Sequence, residues 1–375
     1  MTVSFKDLFI VLMNQKKPEK LKYVMTLPSV DLGKYVAIND LILLGSSDER
    51  YQDLKKQNPV LKQYLDSFRT PFGKKVNPSI IVRDENLPKV DVSHLCAFRN
   101  AIAIAAVVGS RICSYIHNES QGFYCTDLFD FHPVSVSSDE TDLIVRTPFE
   151  NSFCCNVNDF TGQTTSAVIY PENIQPAVDE KFMLALLNVV EKKTRTHDEQ
   201  SFKTRVVRSM EMAYYAMRSP FVTLGERSDF GVQMVLWVSA FEILANPHNT
   251  NVNSRNVSAM IKAVLWRDKK LRVKNRVDVD AKKAKKGEKI TLPVQICRRL
   301  YQTRHAYIHG NAMRKEEYEF HKRKGWGNLF FQAPALYRCV LMHVLNIKGF
   351  GELLANSREH ELYELYEQVL LKKIG

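Results

Sequence analysis

Cysteine is scarce in this chain and follows no pattern. Seven occur in 375 residues, Cys154 and Cys155 side by side and the rest scattered, with no C-x-x-C pair, so neither a dense disulfide framework nor a cysteine zinc site is encoded. A reducing, cytoplasmic setting is the expectation. Long apolar runs are missing as well. The most apolar stretch, AIAIAAVV at 101–108, lies between Arg99 and Arg111 and falls far short of the roughly 20 residues that span a bilayer, so no membrane helix is expected. The opening MTVSFKDLFIVLMNQKKPEK lacks a basic leading segment and a small-residue cleavage site, and Asp7 interrupts its short apolar run. No signal peptide is expected there. No internal repeat is visible.

What is present is a folding composition: 45% apolar and 25% charged residues exclude wholesale disorder, and the length suits two domains. The charge is unevenly divided between them. Residues 1–175 hold 18 Lys and Arg against 20 Asp and Glu, a net of −2, while residues 176–375 hold 35 against 21, a net of +14. A positive field on that scale attracts phosphate backbones, and it also fits an anionic membrane surface or an acidic protein partner. RNA or another nucleic acid leads among these.

Texture separates the same two parts. In the first, 34–45 (KYVAINDLILLG) and 78–88 (PSIIVRDENLP) read as strand-like, 90–117 as a long Ala-rich helix, and 121–170 as a small antiparallel sheet of aromatic and β-branched runs broken by turn residues. The boundary is YPENIQP at 170–176, with two prolines and a turn-forming Asn. Beyond it, helices are expected at 179–195, 201–220, 228–247, 255–266, 292–310, 328–347 and 357–373. The first of these begins acidic and ends basic to match the helix dipole, Ser201 caps the second, and Val232, Val235, Leu236, Phe241 and Leu244 repeat at helical spacing in the third. A charged residue, Glu242, sits among them. The expected fold class is α+β: a mixed α/β domain over 1–175, of sensor, regulatory or substrate-recognition role, then an all-α bundle over 176–375.

Two features of the second domain carry chemistry. Residues 267–289, RDKKLRVKNRVDVDAKKAKKGEK, hold 11 Lys and Arg against 4 Asp and Glu and read as a basic loop. It is either a solvated surface loop or a phosphate-gripping arm, with Lys282, Lys283, Lys285 and Lys286 as its candidate contacts. The helix that follows ends in YQTRHAYIHGN at 301–311. Residues four apart share a helical face, so His305 and His309 point the same way, the long stem of Arg304 can bring its guanidinium round to them, and Gly310 ends the helix in the left-handed conformation. Such a tip can hold a scissile phosphate through bidentate guanidinium hydrogen bonds while a histidine moves a proton to or from a ribose hydroxyl. Asn311, just past the turn, is a further candidate RNA contact.

Plainer readings stand beside this one. A helix C-terminus often carries Arg and His only to complement its dipole. The His305 and His309 spacing also fits a metal pair, but no Glu follows the first His as in H-E-x-x-H and no third ligand is near, so no metal or other cofactor is expected. Glu242 is either a chemical group or a hydrogen-bonding partner that fixes the motif helix.

Leu300, Tyr301, Arg304, His305, His309 and Gly310 together resemble the R-x4-6-H motif of HEPN domains, in the LYxxR…HG form of the Apea-like group. SAFEILANP, with Glu242, is similar to the family's helix bearing an acidic residue in an apolar setting. The resemblance covers about residues 180–375. It implies a helical bundle and a metal-independent endoribonuclease that leaves 2′,3′-cyclic phosphate and 5′-hydroxyl ends, often a bacterial antiphage defence effector or toxin, active as a homodimer that joins two motifs in one cleft. Arg304 and His309 would be the main catalytic pair, His305 would fill the polar position after the arginine, and Glu242 the acidic position. Asn311 stands where the toxin branch regulated by nucleotidyltransferases has tyrosine, so that regulation is not implied. The alternatives are a non-catalytic RNA-binding or sensor protein and a scaffold for an acidic or defence-system partner.

Overall fold

A computed structural model describes residues 21–28, 36–38, 41–70, 73–84, 92–117, 125–137, 141–146, 152–159, 178–218, 227–246, 252–274, 276–277, 289–311, 328–348 and 358–371. The chain is α+β, as its texture predicts. It forms two compact units: Met1–Asn100 with Asp127–Pro176, and Ala101–Thr126 with Ala177–Gly375.

The first unit is built on one antiparallel sheet of seven strands in the order β2-β3-β4-β1-β5-β6-β7. The strands are β1 (Leu21–Leu27), β2 (Val36–Ile38), β3 (Leu41–Leu44), β4 (Ser79–Asp84), β5 (Val134–Val136), β6 (Leu143–Arg146) and β7 (Ser152–Cys155). The expected small sheet over 121–170 is thus not separate. Its three strands extend the earlier ones through β1, which pairs β4 on one side and β5 on the other. Strand alternation sends Val24, Leu44, Ile80, Val82, Val134 and Leu143 into one core with Tyr51 of α1 (Glu49–Gln57) and Leu61, Tyr64 and Leu65 of α2 (Pro59–Asp66). Asn58 joins those two helices. Its N–H bonds Leu54 O to close α1, its side chain accepts from Leu61 N at 2.8 Å to open α2, and Pro59 takes the first helical position. Burial pushes the Tyr64 phenol up to about 12, and its oxygen lies 3.2 Å from Thr26 Oγ1.

Helix α3 (Val92–His117) is long and apolar enough, by length and composition, to cross a membrane, contrary to the expectation drawn from its short uninterrupted run. Its side chains are nonetheless mostly covered by protein: residues 101–108 are all buried, and Arg111, 1% exposed, donates from Nη2 to Met217 O at 2.9 Å. That is the surface of a core helix.

The rest of the second unit is helical: α4 (Glu180–Glu191), α5 (His197–Ala216), α6 (Arg227–Leu244), α7 (Ser254–Ala263), α8 (Lys269–Arg272), α9 (Leu292–Ile308), α10 (Leu329–Ile347) and α11 (Arg358–Leu371). Several expected ends move. α4 stops at Glu191, so its basic residues lie past the helix instead of in its last turn. α5 begins four residues early, because Thr196 and Glu199 form a reciprocal capping box that Ser201 cannot match. In α6 the buried face is Met234, Trp237, Val238, Phe241 and Leu244, with Val232 43% exposed. The basic segment 267–289 is not all loop: Asp268 caps α8, and Arg276–Val277 pairs with Lys289–Ile290 as a two-stranded ribbon, β8 and β9. Lys282, Lys283, Lys285 and Lys286 lie outside the described residues.

A buried ion pair ties the helices together. Asp179 caps α4 by accepting from Phe182 N at 3.0 Å, and its other oxygen accepts from Arg338 Nε of α10 at 3.0 Å and Tyr366 OH of α11 at 2.9 Å. Arg338 is 0% exposed, so its charge depends on that carboxylate. Asp179→Asn keeps the cap and removes the anion. It should cost about 3–5 kcal/mol, the penalty for leaving a buried cation uncompensated, read as a lower urea midpoint by circular dichroism.

Candidate functional site

The site is built where α6 and α9 pack. Gly231, early in α6, has the Tyr307 ring against its Cα, in the space a side chain would fill. This contact holds the two helices close. Farther along the pair, Glu242 Oε1 accepts from both Tyr301 OH at 2.9 Å and Arg304 Nη1 at 3.2 Å. Tyr301 and Arg304 are one turn apart on α9, so their side chains converge on one carboxylate. Burial, and then the charge of Glu242, pushes the Tyr301 phenol far above its ordinary value, which keeps its proton in place to be donated. Burial also raises the neighbouring Cys297 thiol to about 12, so it carries no thiolate at neutral pH.

Arg304 is held without being sealed off. Its side chain is 31% exposed and that of Glu242 23%, and a guanidinium has five N–H donors, of which Glu242 engages Nη1. The expected swing of the guanidinium toward the histidine face gives way to this ion pair, because the carboxylate lies on the α6 side of α9.

The helix end follows its sequence closely. Gly310 has φ +69°, its N–H bonds Tyr307 O and the Asn311 N–H bonds Ala306 O, both at 3.0 Å, which together form a Schellman cap. His309 is the last residue before that reversal. Its ring meets His305 edge-on, with centroids 4.1 Å apart, and both rings are exposed. Asn311 is also exposed, with its backbone committed to the cap. Among the described residues no group of three or more His, Cys, Asp and Glu could hold a metal ion.

Of the residues singled out from sequence, Glu242 joins Arg304, and His305 joins His309. Tyr301 was part of the recognised pattern but had no role. Its place three residues before Arg304, on the face that meets Glu242, is the signal that locates it. Gly231 carried no signal at all, since its partner is 76 positions away. No protein-family model, curated protein or solved structure matches this chain.

Gly231→Ala gives a test of sign. Helix propensity alone would stabilise α6 by about 1 kcal/mol, but the added methyl overlaps the Tyr307 ring, and overpacking costs about 1–3 kcal/mol. The variant should unfold at lower urea than the parent, and combining it with Tyr307→Ala should make the glycine replacement stabilising.

Proposed function

We propose that this chain is a metal-independent endoribonuclease of HEPN type, a bacterial antiphage defence or toxin effector that works as a homodimer in the cytoplasm. One observation supports the reading: the same glycine-closed helix end bears, on its α6 side, an arginine held by Glu242, which also accepts from Tyr301, and, about a third of a turn round, an exposed histidine pair. Arg304 Nε is buried, so the Nη N–H groups not bonded to Glu242 are the donors for a non-bridging phosphate oxygen, where negative charge grows as the phosphorus takes a fifth bond. A histidine, His309 foremost, accepts the proton of the ribose 2′-hydroxyl. The 2′-oxygen bonds the adjacent phosphorus, the bond to the 5′-oxygen breaks, and that oxygen takes up a proton. The products are a 2′,3′-cyclic phosphate and a 5′-hydroxyl. DNA lacks the nucleophile and survives.

A second reading draws on the same ion pair. If Glu242 and Tyr301 hold Arg304 only to tie α9 to α6, the basic helical half binds RNA, or a regulatory or defence-system protein, without cutting. Incubation of the purified chain with RNA in EDTA separates the two. Cleavage lost by at least 100-fold in His309→Ala, on the order of what general acid-base catalysis contributes, with helicity and sizing profile unchanged, supports the nuclease. Binding with no cleavage by the parent chain, or an Arg304→Ala variant that unfolds while His309→Ala stays as active as the parent, supports the structural reading.

A further inference from the structure

The outer face of α9 carries a line of polar side chains longer than the motif. Arg298, Gln302, His305 and His309 follow at intervals of four, three and four residues. On a helix of 3.6 residues per turn, this confines all four to an arc of about 60°. Their surroundings agree with that geometry: Arg298 and Gln302 are half-buried and the histidines exposed, while Cys297, Leu300 and Thr303 between them are buried. No Asp or Glu falls on the line. Gln302 is held in place from the side, its Oε1 accepting from Arg299 Nη1 at 3.3 Å. Seven residues separate Arg298 from His305, about 10 Å along the axis.

We infer that this line is a track for one strand of RNA, on which Arg298 grips a phosphate remote from the one being cut. The inference rests on the ribonuclease reading and adds to it the substrate class, a single strand several nucleotides long. The span of about 10 Å from Arg298 to His305 exceeds the size of one phosphate group, so the gripped phosphate and the scissile one are different groups of the same chain. A guanidinium suits that grip because its planar fork matches two phosphate oxygens. The neutral Gln302 between Arg298 and the histidines faces the sugars and base edges, where a second charge has no phosphate to meet. A single strand also suits the chemistry. The 2′-oxygen must come into line with the leaving 5′-oxygen, which requires the strand to leave stacked A-form geometry. Phosphate contacts of this kind fix register without reading sequence, so Arg298 governs how long a strand must be, not which bases it holds.

The test uses the full chain and a single-stranded dodecanucleotide, in 2′-O-methyl form for binding and as RNA for cleavage. Arg298→Gln should raise KM with kcat kept, and should make the plot of log affinity against log salt shallower by about 0.7, the share of one phosphate contact on a single strand. Arg298→Lys should keep most of that slope, and a dinucleotide should be cut equally by parent and variant. If Arg298→Gln loses its helicity, the parent chain is titrated with oligonucleotides carrying one neutral methylphosphonate, and the affinity loss should peak at one position removed from the scissile phosphate. An unchanged slope in a folded Arg298→Gln, or a flat methylphosphonate scan, overturns the track while leaving the nuclease intact. An equal loss of affinity for polyglutamate would make the line a general anion surface and overturn it too. Absence of cleavage by the parent, with the slope change present, would sink the nuclease and leave the track.

Discussion

At Gly231 the backbone of α6 lies against the ring of Tyr307, and that contact sets the separation and phase of α6 and α9. Packing ridges of two helices allows few arrangements, and a glycine at the crossing selects a close one. Glu242 is then near enough for one of its oxygens to take both the Tyr301 hydroxyl and the Arg304 guanidinium. The polar cluster is therefore a product of apolar geometry. It is placed by a ring on a backbone three turns away, and it could not have formed at a wider helix spacing.

The arrangement divides the work of α9 by angle. Tyr301, Arg304 and Tyr307 face α6, where a carboxylate and a glycine receive them. His305 and His309 face outward, and Arg304 lies about a third of a turn from them. An arginine anchored at one nitrogen loses rotamer freedom before any ligand arrives, so less is lost when a phosphate binds. The Schellman cap orders the backbone around His309 with two hydrogen bonds at the chain reversal. The dipole-complementing reading and the catalytic reading of this helix end thus call for the same geometry.

Much of this was legible in local signals. Pro293 and Gly310 bracket α9, and the pairing of His305 with His309 follows from spacing alone, whereas the division expected at 175/176 misses that residues 101–126 belong with the helical unit. Errors came where a distant partner overrode a local cue. The strands at 134–155 looked like their own sheet because pairing with Leu21–Leu27, more than 100 residues earlier, leaves no mark in a window of sequence. α5 begins at His197 because Thr196 and Glu199 cap it reciprocally, a two-residue signal that the single candidate cap Ser201 hides in the sequence. Glu242 is visible as a polar intruder in an apolar helix, yet only the fold shows that one of its oxygens takes both Tyr301 and Arg304 of α9.

The helical unit is not a continuous piece of chain. Residues 101–126 are tied into it by hydrogen bonds from Asp179 N to Ala105 O, from Arg111 Nη2 to Met217 O and from Thr126 Oγ1 to Tyr214 O. The polypeptide enters this unit, leaves it at Asp127 to finish the sheet, and returns at Ala177. During synthesis the apolar 101–126 segment therefore emerges before the helices that cover it, and the sheet is completed only after the chain has made that excursion. A single cut at the 176 boundary yields no intact half. It leaves residues 101–126 on one fragment and the helices they hydrogen-bond to on the other, so a cut at that boundary divides the helical core itself.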